Sequence, residues 1–324
     1  MDVPSHRRAV LEALLVTFLW STSWILMRFG LREIPALAFA GLRYATAWLV
    51  LLPWLWRARR EVKALSRSDW GWLVALGVVF YALTQGGVFL ALTRLEAAPL
   101  SLVLSSTPIL VAGAGVVMLR EKPGAVQWIG LLLAAGGAAL FFSPASTRGG
   151  TLGFALAGLT LCANAAASLL GRAVNRRGVG APIVVTGVSM GIGAAILLAL
   201  GITIQGVPAL SATGWGIVAW LAVMNTAIAF TLWNRTLRVL SAVESSALNN
   251  TMVLQIAVLA WLFLDERLGV AGILGVLLTA TGTTLVQLRR TGRRGAAARP
   301  QDPPPATSRP LERSAVERGL RGRS

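Results

Sequence analysis

Residues 95–123 read LEAAPLSLVLSSTPILVAGAGVVMLREKP, and residues 240–268 read LSAVESSALNNTMVLQIAVLAWLFLDERL. The second stretch is the first displaced by 145 residues. Leu95 falls on Leu240, Ala97 on Ala242, Ser101 on Ser246, and the turn Arg120-Glu121-Lys122 on Asp265-Glu266-Arg267. The register holds outward without a gap, from Trp70-Gly71 on Trp215-Gly216 to Gly130 on Gly275 and Gly137 on Gly282. Apolar blocks and polar punctuation repeat together, which hydrophobic composition alone does not produce.

The repeated material is apolar. Of 324 residues 55% are hydrophobic and 13% charged, where a soluble domain carries about a quarter charged residues. The charges are clumped, and the stretches between them have the roughly 20-residue length a bilayer core demands. The spans run over residues 9–29, 36–56, 70–92, 97–119, 125–142, 151–174, 182–205, 214–237, 242–264 and 269–288. Lipid offers backbone polar groups no partner, so all ten are expected to be helices. The first run is long and lacks a clear small-residue cleavage site, so it reads as a retained span.

The fold class expected is therefore an all-α integral membrane protein of ten transmembrane helices in two inverted five-helix repeats. The first repeat covers residues 1–142, a linker 143–150, the second repeat 151–288, and a basic tail 289–324. Five is odd, so the second copy enters the membrane in the opposite orientation. Inverted repeats are a plan of secondary transporters, because two such halves exchange conformation across a pseudo-two-fold axis.

A net charge of +17 would suggest nucleic acid in a soluble chain. Here the basic residues lie in short gaps and in the tail, where they orient membrane spans. Fourteen fall on one side, among them Arg57, Arg59, Arg60 and Lys63, against Arg32, Arg94, Arg148 and Arg267 on the other. The bias places both termini in the cytoplasm, and the expected location is the inner membrane. The tail holds ten arginines and the run Pro303 to Pro305; it is expected to be disordered and to help fix topology.

Polar groups inside a bilayer need partners or a wet cavity. Candidates for the wall of a central cavity are Trp20, Trp24, Gln85, Ser106, Asn164, Asn225, Asn249 and Asn250, with Thr84, Thr107 and Thr251 nearby. Their competing role is interhelical hydrogen bonding. Arg43 lies about 12 Å inside the second span at 1.5 Å per residue. It either snorkels, pairs with a carboxylate or helix end, or meets an anionic substrate. Arg28, at the end of the first span, reads as a snorkelling anchor. Glu121 and Glu266 sit in turns, where each would cap the helix that follows. No Asp or Glu lies near the centre of a span, which speaks against a central carboxylate proton switch.

The ordered set Trp20-Ser21-Thr22-Ser23, Gly41-Leu42-Arg43, Pro108, Arg120-Glu121-Lys122-Pro123, Gly130, Asp265-Glu266-Arg267 and Gly275 resembles the EamA-type members of the drug/metabolite transporter superfamily. The resemblance covers residues 9–288. It implies a transporter moving a small molecule, amino-acid-like or drug-like, by alternating access, and export is the expected direction. One departure stands out: the place equivalent to Pro108 in the second repeat is Val253, where the family often has a second proline. The ninth span is expected to be straighter than the fourth.

The alternative of a membrane enzyme acting on lipid or peptide finds little support. Gly187-Val188-Ser189-Met190-Gly191 fits G-x-S-x-G, but it lies inside a span, and His6 is the single histidine. The glycines fit close helix contact better. The reading calls for no enzyme activity, cofactor or metal, takes the bilayer and a small molecule as partners, excludes nucleic acid, and allows a homodimer.

Overall fold

A computed structural model describes residues 5–119, 124–141, 150–236, 239–240, 242–266 and 269–297. These hold ten apolar helical segments. They are α1 (His6–Gly30), α2 (Ala36–Arg57), α3 (Arg67–Leu92), α4 (Ala97–Ser105 with Thr107–Leu119) and α5 (Ala125–Phe141). The second set is α6 (Gly150–Arg177), α7 (Pro182–Gln205), α8 (Ala212–Ala222, Val223–Ile228 and Ala229–Thr236), α9 (Ala242–Leu264) and α10 (Val270–Ala297). Five have the length and apolarity to cross a membrane by themselves, and the others are shorter apolar stretches. A short helix, Arg59–Ala64, lies between α2 and α3.

Local chemistry fixes the breaks. Ser66 and Asp69 form a reciprocal capping box that starts α3, satisfying orphan N–H groups of its first turn. Proline lacks the N–H that would continue a helix, and α4 is interrupted at Ser106, two residues before Pro108. With Val253 at the equivalent place, α9 is unbroken. Both third spans contain a π-helical segment, Gly77–Gln85 in α3 and Val223–Ile228 in α8. The 145-residue shift carries residues 78–83 onto 223–228, so repeated sequence gives repeated distortion. The hydroxyls of Thr84 and Thr226 each donate to a carbonyl five residues back, Val79 at 2.8 Å and Leu221 at 2.9 Å.

The repeats are inverted in fact. Counterpart helices α5 and α10 cross at glycine. A Cβ on Gly137 would lie 2.6 Å from the Thr279 nitrogen and 2.7 Å from the Gly275 carbonyl, and one on Gly282 would meet the Ala134 nitrogen and the Gly130 carbonyl. Gly137 and Gly282, Gly130 and Gly275, and Ala134 and Thr279 are pairs under the same shift. The late part of α5 therefore meets the early part of α10 and the reverse holds, an antiparallel crossing about a local two-fold. The Thr279 hydroxyl donates to the Ala134 carbonyl at 3.4 Å. A second crossing joins α2 and α7, the second span of each repeat. Gly41 approaches the backbone of Leu198, and Gly201 that of Ala38.

The remaining contacts follow the same symmetry. α1 packs on α8 and α9, and α6 packs on α3 and α4. Each repeat thus lends its first helix to the third and fourth helices of the other. The main apolar core joins residues of both repeats, including Phe39, Phe89, Leu100, Leu197, Leu221 and Ile256.

One boundary differs from the expectation. α10 continues to Ala297, nine residues beyond Leu288 into the segment expected to be disordered. The added stretch holds no proline, and arginines near a helix C-terminus complement its dipole. The rest of the tail, residues 298–324, lies outside the described residues.

Candidate functional site

Two of the sequence candidates, Trp20 and Asn225, meet where α1 enters the second repeat. The Trp20 indole donates to the Asn225 carbonyl at 3.1 Å. The Asn225 amide nitrogen donates to the Leu19 carbonyl and, at 3.3 Å, to the Thr22 hydroxyl. Trp20 also packs at 5.4 Å on Phe230 and 5.3 Å on Trp233 of α8. The π segment holds Asn225 fully buried against α1; such segments often mark functional positions because they re-aim side chains.

A second polar link joins α1 to α9. Ser21 donates to Gln255 Oε1 at 2.9 Å, and Gln255 Nε2 donates to the Thr17 and Thr251 hydroxyls at 3.3 and 3.2 Å. Gln255 was not among the sequence candidates. The signal was present, since it is an amide one helical turn from Thr251 inside an apolar span. The symmetric link, α6 to α4, is Asn164 Nδ2 donating to Thr107 at 2.9 Å.

The other candidates are dispersed. Trp24 is half-buried against the main core. Gln85 is half-buried at the end of the α3 π segment, and Ser106 is half-buried at the α4 break. Asn249 is exposed on α9. The side chain of Asn250 and the whole of Glu121 lie outside the described residues. A cleft of about 310 Å³ between α9 and α10 is lined by Thr251, Leu254, Leu277 and Thr284. The hydroxyls of Thr251 and Thr284 are spent on carbonyls of their own helices, and the cleft reads as an apolar groove.

Arg43 does not snorkel. It is 6% exposed, one guanidinium nitrogen lies 3.4 Å from the Met27 sulfur, and its carbon stands 5.3 Å from the Tyr44 ring. Among the described residues no carboxylate pairs with it.

Two expectations are corrected at the end of the bundle where α1 finishes. Glu266 does not cap the helix that follows it. Its two oxygens accept from the backbone N–H groups of Ala97 and Ala98, at 2.9 and 3.1 Å, at the start of α4 in the other repeat. The carboxylate finds those orphan donors because the inverted packing brings the α9–α10 turn to the α4 N-terminus. Arg28 is likewise no free anchor, since it donates to the Leu92 carbonyl at 2.6 Å, at the end of α3. A cation at a helix C-terminus and an anion at the next N-terminus both oppose the dipoles they face, so the α3–α4 turn is gripped from both sides. Gln205 treats α2 in the same way, its Oε1 accepting from Leu37 at 2.9 Å.

Gly187-Val188-Ser189-Met190-Gly191 is helical throughout, inside α7. The Ser189 hydroxyl donates to the Val185 carbonyl, and the flanking glycines admit Leu55 and Trp48 of α2. It packs helices. Among the described residues no cluster of His, Cys, Asp and Glu is arranged to hold a metal.

Ten helical segments, a local two-fold and exchanged first helices define a membrane transporter of the inverted-repeat class. Residues 7–143 and 152–288 each match the EamA-like transporter family, and the chain belongs to that family. It is similar to an uncharacterized transporter of Synechocystis sp., sll0355, with 28% identity over 296 residues, covering 84% of this chain and 87% of that protein. It is similar also to protein PagO of Salmonella typhimurium, 23% identical over 123 residues, 37% of this chain and 40% of that one. A solved crystal structure superposes with a TM-score of 0.58 at 19% identity, over 87% of this chain and 98% of its own, a likeness of fold.

Proposed function

We propose that the chain exports small metabolites across the inner membrane by alternating access, with both termini in the cytoplasm. The carrying observation is the pair of antiparallel glycine crossings, Gly41–Leu198 with Gly201–Ala38, and Gly137–Thr279 with Gly282–Ala134. They act as smooth pivots, because small residues bring two backbones together without interlocking side chains. About such pivots α1 rocks with α8 and α9 while α6 rocks with α3 and α4. The two end states are related by pseudo-symmetry and so lie close in energy.

The polar cluster of Trp20, Asn225, Ser21 and Gln255 supports a binding site along α1. It supplies amide and hydroxyl groups beside aromatic surface, which suits a polar or amphipathic metabolite. The charge bias of the loops supports the orientation.

The test compares metabolites in medium and cytosol between a strain overexpressing the chain and one lacking it. Export predicts compounds enriched in the medium of the first and in the cytosol of the second. No difference across a broad panel, with intact protein in the membrane, would sink the exporter reading.

A further inference from the structure

Two buried polar side chains that face α1 have atoms with nothing to bond. Arg43 Nε is buried and unpartnered, and so is Asn225 Oδ1. Arg43 spends one nitrogen on the weak acceptor Met27 Sδ at 3.4 Å. Asn225 spends its amide nitrogen on Leu19 and Thr22, which leaves the amide oxygen over. Arg43 meets α1 through Met27, and the backbone carbonyl of Asn225 meets it through Trp20. With Trp24 between them, these are positions i, i+4 and i+7, one face of the helix. Trp20 and Met27 are seven residues apart, about 10 Å at 1.5 Å per residue.

We infer that Arg43 and Asn225 are the two ends of a recognition site for an organic anion that carries a hydrogen-bond donor at its far end. The ligand lies along the Trp20–Trp24–Met27 face of α1. The assignment rests on the transporter reading and names its substrate class. An unpaired buried guanidinium is costly, and a carboxylate, sulfonate or phosphate group relieves the cost through the guanidinium fork. The orphaned amide oxygen is acceptor only, so it selects an N–H or O–H group. Aromatic surface between them covers the ligand's apolar middle. The Tyr44 ring stands 5.3 Å from the Arg43 guanidinium carbon and is itself packed edge to face on Tyr81 at 5.4 Å.

The experiment uses the full chain in lipid nanodiscs, with thermal unfolding followed by tryptophan fluorescence. Three probes are compared at equal ionic strength: 6-aminohexanoate, hexanoate and hexylamine. The expected order of the upward shift in midpoint is 6-aminohexanoate above hexanoate, with hexylamine inert. R43Q abolishes the response to both carboxylates, R43K keeps a weakened one, and N225A reduces 6-aminohexanoate to the level of hexanoate. Without ligand, R43Q melts no lower than the parent, because it removes an uncompensated charge; a purely structural arginine would lower it. An R43Q protein that answers the carboxylates like the parent overturns the assignment, as does a folded parent that answers neither carboxylate.

The metabolite comparison separates the two readings. Exported compounds that all lack an anionic group overturn the anion site and leave the transporter standing. An absence of exported compounds removes the transporter reading, while anion binding that depends on Arg43 still stands.

Discussion

Glu266 shows how one carboxylate can tie the two repeats together. It is 5% exposed. Burial pushes its carboxyl above the ordinary glutamate range, and Glu96 adds to the rise, against the opposing pull of the Ala97 and Ala98 N–H groups and Arg28. The seated carboxyl therefore holds its proton more tightly than it does in the unfolded chain. By linkage, its contribution to stability is complete below the ordinary glutamate pKa and is lost as pH rises through the raised value. Melting curves taken upward from the ordinary glutamate range are expected to show the parent losing stability as pH rises. E266Q should be flat there; a parallel slope in E266Q would assign the dependence to another group. E266A leaves two N–H groups uncapped and, below the ordinary glutamate pKa, is expected to cost about 1 kcal/mol, a cost that shrinks as pH rises and the parent loses its own stability. Sequence made Glu266 legible as a cap but not the helix it caps, because that partner lies 169 residues away and nothing local encodes it. Arg43 was legible as a charge set deep in a span, but whether it snorkels was not; that it is buried, with no carboxylate beside it among the described residues, follows from packing.

At the scale of elements, the helices were largely readable because a bilayer leaves so few solutions. α2 and α7 begin where apolar runs follow Pro35 and Ala181, and Pro108 marks the interruption of α4. The π segments were not readable. An i→i+5 pattern has no composition of its own, and only the fact that both fall at one repeat position reveals it as a property of the sequence. The glycine crossings carry a test. A methyl group at Gly137 would lie 2.6 Å from the Thr279 nitrogen, while one at Gly136 would meet nothing within 4 Å. G137A is expected to destabilise by about 1–3 kcal/mol, the range of overpacking, and G136A to be close to neutral, both read by unfolding in detergent. G137A with G282A should cost less than the two changes separately, because once one end of the crossing is forced apart the other has room. Full additivity would mean that the two contacts are independent and that α5 and α10 do not move as one hinge.

At the scale of the molecule, an odd number of spans per repeat implied inversion, and the antiparallel crossings make it a matter of contacts. Which end of the bundle faces the cytoplasm is a separate question, since packing is indifferent to it and loop charge decides it. The Arg59–Ala64 helix and its neighbours put Arg57, Arg59, Arg60 and Lys63 at one end. At the other end stand the α1–α2 and α3–α4 turns, with Arg32 and Arg94. A cationic end is held back from translocation, so the Lys63 end should be cytoplasmic and the Thr93 end external. Thr93 and Lys63 are both exposed, and Cys162 is the chain's single cysteine. C162A therefore gives a cysteine-free background at no helix cost. In intact cells a membrane-impermeant maleimide is expected to label T93C and not K63C, and to label both once the membrane is broken. The reverse pattern would put Glu266, Arg28 and their grip on the α3–α4 turn on the cytoplasmic side. The pH that the Glu266 carboxyl meets would then be that of the cell interior, so the orientation decides which compartment's acidity acts on its hold on Ala97 and Ala98.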